Sequence, residues 1–131
     1  MNSQMEHLYQ LIGAEVLRLA GNNSGKILLI GEIDEGVISA DLFCQENKNK
    51  ARYKYTTTEL QDLAYQLWKN WEKWTGKKSW SIMCFQVNKD KISMDLIYSD
   101  QIDPEEDELQ RREKIIEKVF GKTKVDYSRP E

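Results

Sequence analysis

The sequence predicts a single α+β domain in which three helices pack against an antiparallel β-sheet. Two pairs of short apolar runs are each joined by a polar turn, which is the pattern of consecutive β-hairpins. Three amphipathic segments alternate with these runs, and each begins at a capping signal and ends before a glycine. The predicted order is α-β-β-(β)-α-β-β-α, and residues 1–131 are one domain's worth of chain.

The three helices are predicted from matching start and stop signals. Ser3, Thr58 and Asp103 each offer a side-chain acceptor at an N-cap, with Glu or Gln three residues later. Pro104 stands at the favoured first helical position. Each segment ends just before a glycine that suits a left-handed C-cap. The predicted helices cover 4–20, 59–75 and 104–120.

The strands are predicted from apolar runs, alternation and turn residues. Gly36 lies in the loop of the first hairpin and can adopt the positive φ of a tight turn. From residue 91 onwards apolar and polar residues alternate, which is typical of a strand with one buried and one solvated face. The predicted strands cover 26–33, 37–45, 51–55, 80–87 and 91–98.

The second predicted helix carries three tryptophans, for which there are two interpretations. Trp71 and Trp74 share the apolar stripe of Leu60 and Leu67, which predicts that both tryptophans belong to the core. Trp68 lies at the edge of this stripe, where an exposed tryptophan is a candidate binding anchor.

The net charge of −3 conceals strongly segregated blocks. Residues 46–78 hold eight bases against four acids, whereas residues 95–108 hold seven acids and no base. Because phosphate binding requires clustered Lys and Arg, the acidic block argues against nucleic acid as the main ligand. The seven acids are Asp95, Asp100, Asp103, Glu105, Glu106, Asp107 and Glu108.

No set of residues in the sequence has the spacing of a catalytic or metal site. His7 is the only histidine, and Cys44 and Cys84 lie in apolar runs that predict buried free thiols. Zinc normally requires four ligands in close-spaced pairs. We therefore expect no enzyme activity, no cofactor and no metal. Adjacent carboxylates, which suit turns and helix starts, occur at Asp34-Glu35 and Glu105-Glu106.

The sequence has no feature that directs a chain into or across a membrane. The longest apolar run is the four residues 27–30, against roughly 20 for a membrane span. Residues 1–6 lack the basic and apolar regions of a secretory signal. We expect a cytoplasmic protein with no membrane partner.

The last two strands and the last helix carry a recognisable set of residues. The set is Trp80 and Phe85, then Lys91, Asp95 and Tyr98, then Asp103-Pro104 and a closing Phe120-Gly121. This arrangement resembles the YezG-like family of antitoxin and immunity proteins. The chain departs from the family pattern at Asp107, where the family tends to have Arg.

The resemblance implies a small protein that binds and neutralises a cognate toxin, often a nuclease domain. The charge blocks agree with this, since a nuclease that grips phosphates is basic and an acidic surface speeds its capture. A solvated acidic edge with no partner is the alternative interpretation of these acids. Residues predicted to contact the toxin are Asp34, Glu35, Asp95, Asp100, Asp103, Glu105, Glu106, Glu108 and Trp68.

Two other functions remain open at this point. The basic segment 46–78, with lysines between its tryptophans, loosely fits binding of single-stranded nucleic acid. The chain is alternatively an adaptor or subunit of a larger bacterial assembly.

Overall fold

A computed structural model describes residues 3–21, 25–34 and 36–127, with the backbone alone for Asp34. It confirms the predicted α+β class and the order of the predicted elements. The helices are α1 Ser3–Ala20, α2 Thr58–Thr75 and α3 Glu108–Phe120, and a 3₁₀ turn covers Ser99–Gln101. The strands are β1 Ile27–Asp34, β2 Val37–Asn47, β3 Lys50–Lys54, β4 Ile82–Asn88, β5 Lys91–Ile97 and β6 Lys124–Asp126.

The six strands form one sheet in the order β5-β4-β1-β2-β3-β6. All neighbouring strands are antiparallel except β3 and β6, which are parallel. Sequence analysis did not predict β6, because a strand of three residues is too short to show alternation. β1 lies in the middle of the sheet and pairs with β2 of the first hairpin and with β4 of the second. Leu29 of β1, for example, lies opposite Leu42 of β2 and Phe85 of β4.

Helices cover both faces of this sheet. Leu29 faces the larger core, which α1 and α2 close, whereas Leu28 and Ile30 face a smaller core closed by α3. Successive side chains of a strand point to opposite faces, so a central strand covered on both sides needs an unbroken apolar run. The run 27–30 therefore marks the centre of the sheet, and all four of its residues are buried.

All three predicted helix starts are wrong. α1 already includes Ser3, which was predicted as its N-cap. The N-cap of α2 is Thr57, one residue before the predicted Thr58, and its hydroxyl accepts a hydrogen bond from the Leu60 N–H at 3.1 Å. α3 begins four residues later than predicted, at the reciprocal capping pair of Asp107 and Gln110. The reason is that Asp103 caps a separate turn instead, in which its carboxylate accepts the Glu105 N–H at 2.9 Å.

The prediction that Trp71 and Trp74 are core residues is also wrong. Both are half-buried at the edge of the larger core, and so is Trp68, so the expected contrast between Trp68 and the other two does not exist. The buried positions of α2 end at Leu67, so the later tryptophans lie beyond the fully covered part of the helix. The tryptophan of the core is Trp80, which is 1% exposed.

Cys44 and Cys84 are buried free thiols, as predicted, and they face opposite cores. Burial, and to a smaller extent the charge of Asp95, raises the pKa of Cys84 to about 12. Burial also raises the pKa of Cys44. Since the thiolate is the reactive form, neither thiol is accessible or activated for chemistry.

We expect both cysteines to resist a thiol reagent in the folded protein and to react quickly once it is unfolded. The measurement is the rate of colour development with a disulfide reagent at mildly alkaline pH, with and without denaturant. A Ser93→Cys variant supplies an exposed thiol on β5 for comparison. Native cysteines that react as fast as the introduced one would contradict the burial of both thiols.

A buried carboxylate connects α1 to the start of α2. Glu15 is 6% exposed, accepts the Thr57 hydroxyl at 2.7 Å and pairs with Arg18 at 2.5 Å. The hydrogen bonds from Arg18 and Thr57 lower the pKa of Glu15. Because the folded-state pKa is below the unfolded value, this stabilisation is present at neutral pH and is lost as the pH falls through the folded-state pKa.

The variant Glu15→Gln is expected to lower the free energy of unfolding at neutral pH by about 1.5–3 kcal/mol, the usual range for a hydrogen bond to a charged group. The stability of the variant should also decrease less than that of the wild type as the pH is lowered, because the variant has no carboxylate to protonate at position 15. Urea unfolding of both proteins at pH 7 and at several acidic pH values measures this. Parallel stability–pH curves for the two proteins would show that Glu15 does not carry the effect.

Candidate partner-binding surface

The acidic segment between β5 and α3 is ordered by its own side chains. The Gln101 carboxamide accepts the Tyr98 N–H at 2.9 Å, across the 3₁₀ turn. The Asp103 carboxylate closes the next turn, and Asp107 with Gln110 closes the start of α3. Each of these side chains accepts a hydrogen bond from a backbone N–H that has no carbonyl partner in a strand or helix. The exposed acids are therefore presented on a defined backbone.

Some of the predicted binding acids have structural roles that compete with partner binding. Glu106 is only 13% exposed in its side chain and pairs with Lys114, and the guanidinium of Arg111 donates to the Glu106 carbonyl at 2.7 Å. The same ion pair raises the pKa of Lys114. Asp103 and Asp107 hold turns, as described above. Glu105 and Glu108 are exposed, and among the described residues neither side chain has a hydrogen-bond or ion-pair partner.

The structure adds two acids that sequence analysis did not single out. Glu113 and Glu117 lie on the exposed face of α3, beside the turn that carries Asp103 and Glu105. Together they form a surface depression that we call the acidic groove, with five carboxylates and one lysine ammonium. Its residues are Asp103, Glu105, Glu106, Gln110, Glu113, Lys114 and Glu117. The signal in the sequence was the spacing of three and four residues between 110, 113, 114 and 117, which places them on one helix face.

The remaining predicted acids lie outside the acidic groove. Asp100 lines a separate cavity with Lys77 and Lys78, whose two positive charges offset its own. Asp95 is exposed on β5, where the Gln86 amide donates to it at 3.5 Å. Glu108 borders a third cavity near the Glu32–Arg111 ion pair. The predicted acidic block is thus divided among several surfaces.

The hairpin acids Asp34 and Glu35 cannot be placed with the others. Glu35 and the side chain of Asp34 lie outside the described residues. Their assignment to a toxin-binding surface stays a prediction.

Trp68 lies on the other side of the sheet from the acidic groove. It stacks on Tyr65 with ring centroids 5.9 Å apart and an interplanar angle of 27°. α2 closes the larger core, whereas α3 carries the groove over the smaller core. The structure therefore does not bring Trp68 and the predicted acids into one site.

The basic segment 46–78 is divided in the same way. Lys50 and Arg52 each form ion pairs with Glu46 and Asp126, at 3.5–3.6 Å, which joins β3 to β6. Lys54 donates to the carbonyls of Leu19 and Ala20 at the end of α1, at 3.2–3.3 Å. These bases therefore act within the fold. The exposed lysines of the last turns of α2 and of the segment that follows it are Lys69, Lys73, Lys77 and Lys78.

Over residues 3–21, 25–34 and 36–127, no group of three His, Cys, Asp or Glu side chains is arranged to hold a metal ion. His7 is exposed on α1. No helix within these ranges has the length and apolar character to cross a bilayer.

The chain matches no model of a protein family, and no curated protein matches it significantly.

Proposed function

We propose that this protein is a bacterial immunity protein or antitoxin, which binds a cognate toxin domain in the cytoplasm and neutralises it. The observation that supports this most is the acidic groove, where four exposed carboxylates accompany the paired Glu106 and Lys114. A surface of this charge recognises a basic partner. The resemblance of 80–121 to antitoxin and immunity proteins points to the same class of partner.

Helix α3, which carries part of the acidic groove, contacts the sheet through ion pairs as well as through apolar packing. The Arg111 guanidinium donates to Glu32 on β1 at 2.6 Å, and Arg112 reaches Asp41 on β2 at 3.5 Å. Asp41 also accepts the hydroxyl of Tyr53 at 2.8 Å, and burial raises the pKa of Tyr53 to about 12. A groove that is ordered before binding loses less conformational entropy in the complex.

The chemistry of a nuclease explains how such a surface inhibits. The cleft in which a nuclease binds the phosphate backbone is lined by lysines and arginines. Carboxylates placed in that cleft pair with the same cations and exclude the substrate. Opposite charges at long range also raise the association rate, which matters for a protein that must capture a toxin before it acts.

The proposed function predicts that a neighbouring gene encodes a toxin domain, and co-expression of this protein with that domain tests the proposal. We expect the wild-type protein to restore growth and to co-purify with the toxin domain as a stable complex. A neighbouring toxic domain that neither binds this protein nor loses its toxicity in its presence would contradict the proposed function.

One observation favours binding of single-stranded nucleic acid as the alternative. The stacked pair of Tyr65 and Trp68 is accompanied by the exposed Lys69, and an aromatic platform with a cation suits unpaired bases. Retention on single-stranded DNA that weakens with salt, and that is lost in Trp68→Ala, would support this function over the first.

A further inference from the structure

A small apolar cavity opens directly beside the acidic groove. It has a volume of about 240 Å³ and lies between α3 and the segment that follows β5. Its apolar wall consists of one buried isoleucine, Ile82, and three that are partly exposed, namely Ile97, Ile102 and Ile115. Ile97, Ile102 and Ile115 pack against the smaller core but keep part of their apolar surface in water, and a partner that covers this surface gains the free energy of its burial.

The rim of this cavity is shared with the acidic groove. Asp103, Glu106 and Lys114 line both, so the apolar wall and the carboxylates form one continuous surface. Glu106 and Lys114 neutralise each other, and Arg111, which also lines the cavity, pairs with Glu32. Asp103 is exposed and has no ion-pair partner among the described residues. Beyond the rim, Glu113 and Glu117 extend the negative surface along α3.

We propose that this cavity receives an aliphatic side chain from a basic segment of the toxin domain. The leucine, isoleucine or methionine of that segment fills the space between Ile97, Ile102 and Ile115, while its flanking lysines or arginines reach the acidic groove. The inference rests on the proposed function and specifies how the partner is recognised. The acidic groove selects cationic neighbours, and the cavity selects among them the segment that carries an aliphatic residue.

This division of roles follows from what each kind of contact contributes. Exposed charge pairs contribute little affinity individually and act mainly on the association rate. An apolar side chain enclosed in a cavity contributes affinity by leaving water, and such anchors lie at the centre of interfaces with polar surroundings.

Two helical peptides that differ at one position provide the test. Both consist of lysine and alanine, and one carries a central leucine where the other has alanine. We expect the leucine peptide to bind about tenfold more tightly, a difference of about 1.4 kcal/mol. In ¹⁵N-labelled protein, its saturable shift changes should include Ile97, Ile102 and Ile115. Equal affinities, shift changes elsewhere or an absence of binding would overturn the inference.

Filling the cavity gives a second, independent measurement. Ile102→Trp and Ile115→Phe narrow it from opposite walls, and thermal melting establishes that each variant is folded. In either folded variant the leucine peptide should fall to the affinity of the alanine peptide, whose own affinity stays unchanged. Persistent preference for leucine in both variants would overturn the inference.

Protection from the toxin separates this inference from the proposed function. If the wild type neutralises the toxin and both filled variants neutralise it equally well at equal expression, the cavity is not used and the proposed function stands. If the wild type does not neutralise the toxin, the proposed function fails, and with it the assignment of the cavity to a toxin.

Discussion

Replacing Trp80 with alanine is expected to lower the free energy of unfolding by about 3–5 kcal/mol, a large part of the stability of a small domain. Trp80 is among the largest fully buried side chains, and it packs in the larger core beneath α1 and α2. Its removal leaves a cavity as well as the loss of apolar burial. Urea unfolding followed by circular dichroism measures the change without depending on tryptophan fluorescence.

A second substitution at the same position tests the reason for this loss. The Trp80 indole N–H is buried and finds no acceptor among the described residues, so Trp80→Phe removes no hydrogen bond. We expect Trp80→Phe to cost clearly less than Trp80→Ala, because much of the volume is kept. Trp68→Ala supplies the half-buried comparison on α2 and should also cost less. A Trp80→Ala protein as stable as the wild type would contradict its place in the core.

The fold could be predicted because its signals are local. The run 27–30 and the alternation after residue 91 identify strands from a few adjacent residues, and the hairpin loops then determine which strands are neighbours. The start of α3 was missed because two valid capping signals occur four residues apart. Asp103-Pro104 and Asp107 with Gln110 both satisfy the local rule, and only the packing of α3 on the sheet determines which one is used.

The burial of the tryptophans depends on where one element ends relative to another. Helical spacing predicts that Trp71 shares a face with Leu67, and this is correct. It does not predict how far along α2 the cover provided by α1 and the sheet continues. The extent of this cover depends on how the helices and the sheet pack together. For the same reason the local pattern did not identify Trp80, in the short loop before β4, as the buried tryptophan of the core.

The candidate site was only partly visible in the sequence for a related reason. The acidic residues of segment 95–108 include Asp103, Glu105 and Glu106, which lie within four residues of one another in the chain. The segment does not include Glu113 and Glu117, which join these acids only because α3 runs beside the turn. It does include Asp100, which Lys77 and Lys78 adjoin from a distant part of the chain.

The structure also changes which acid is the best probe of toxin binding. Reversing Glu105 and Glu106 together would break the pair with Lys114, so a loss of binding would have two explanations. Glu117 is exposed in the last turn of α3, and its carbonyl accepts the Gly121 N–H at 2.8 Å. Glu72 on α2 matches it in these respects, since it is exposed in the last turn and its carbonyl accepts the Gly76 N–H at 2.8 Å.

We expect Glu117→Lys to slow association with the toxin domain by about tenfold at low ionic strength, and Glu72→Lys to leave it nearly unchanged. Both substitutions change the net charge equally and place a lysine where the helix dipole favours it, so neither should destabilise the fold. Only Glu117 belongs to the acidic groove. Stopped-flow association rates at several salt concentrations separate the two variants, because an electrostatic effect should shrink as salt screens it. Equal rates for the two variants at every salt concentration would mean that the toxin approaches a different surface.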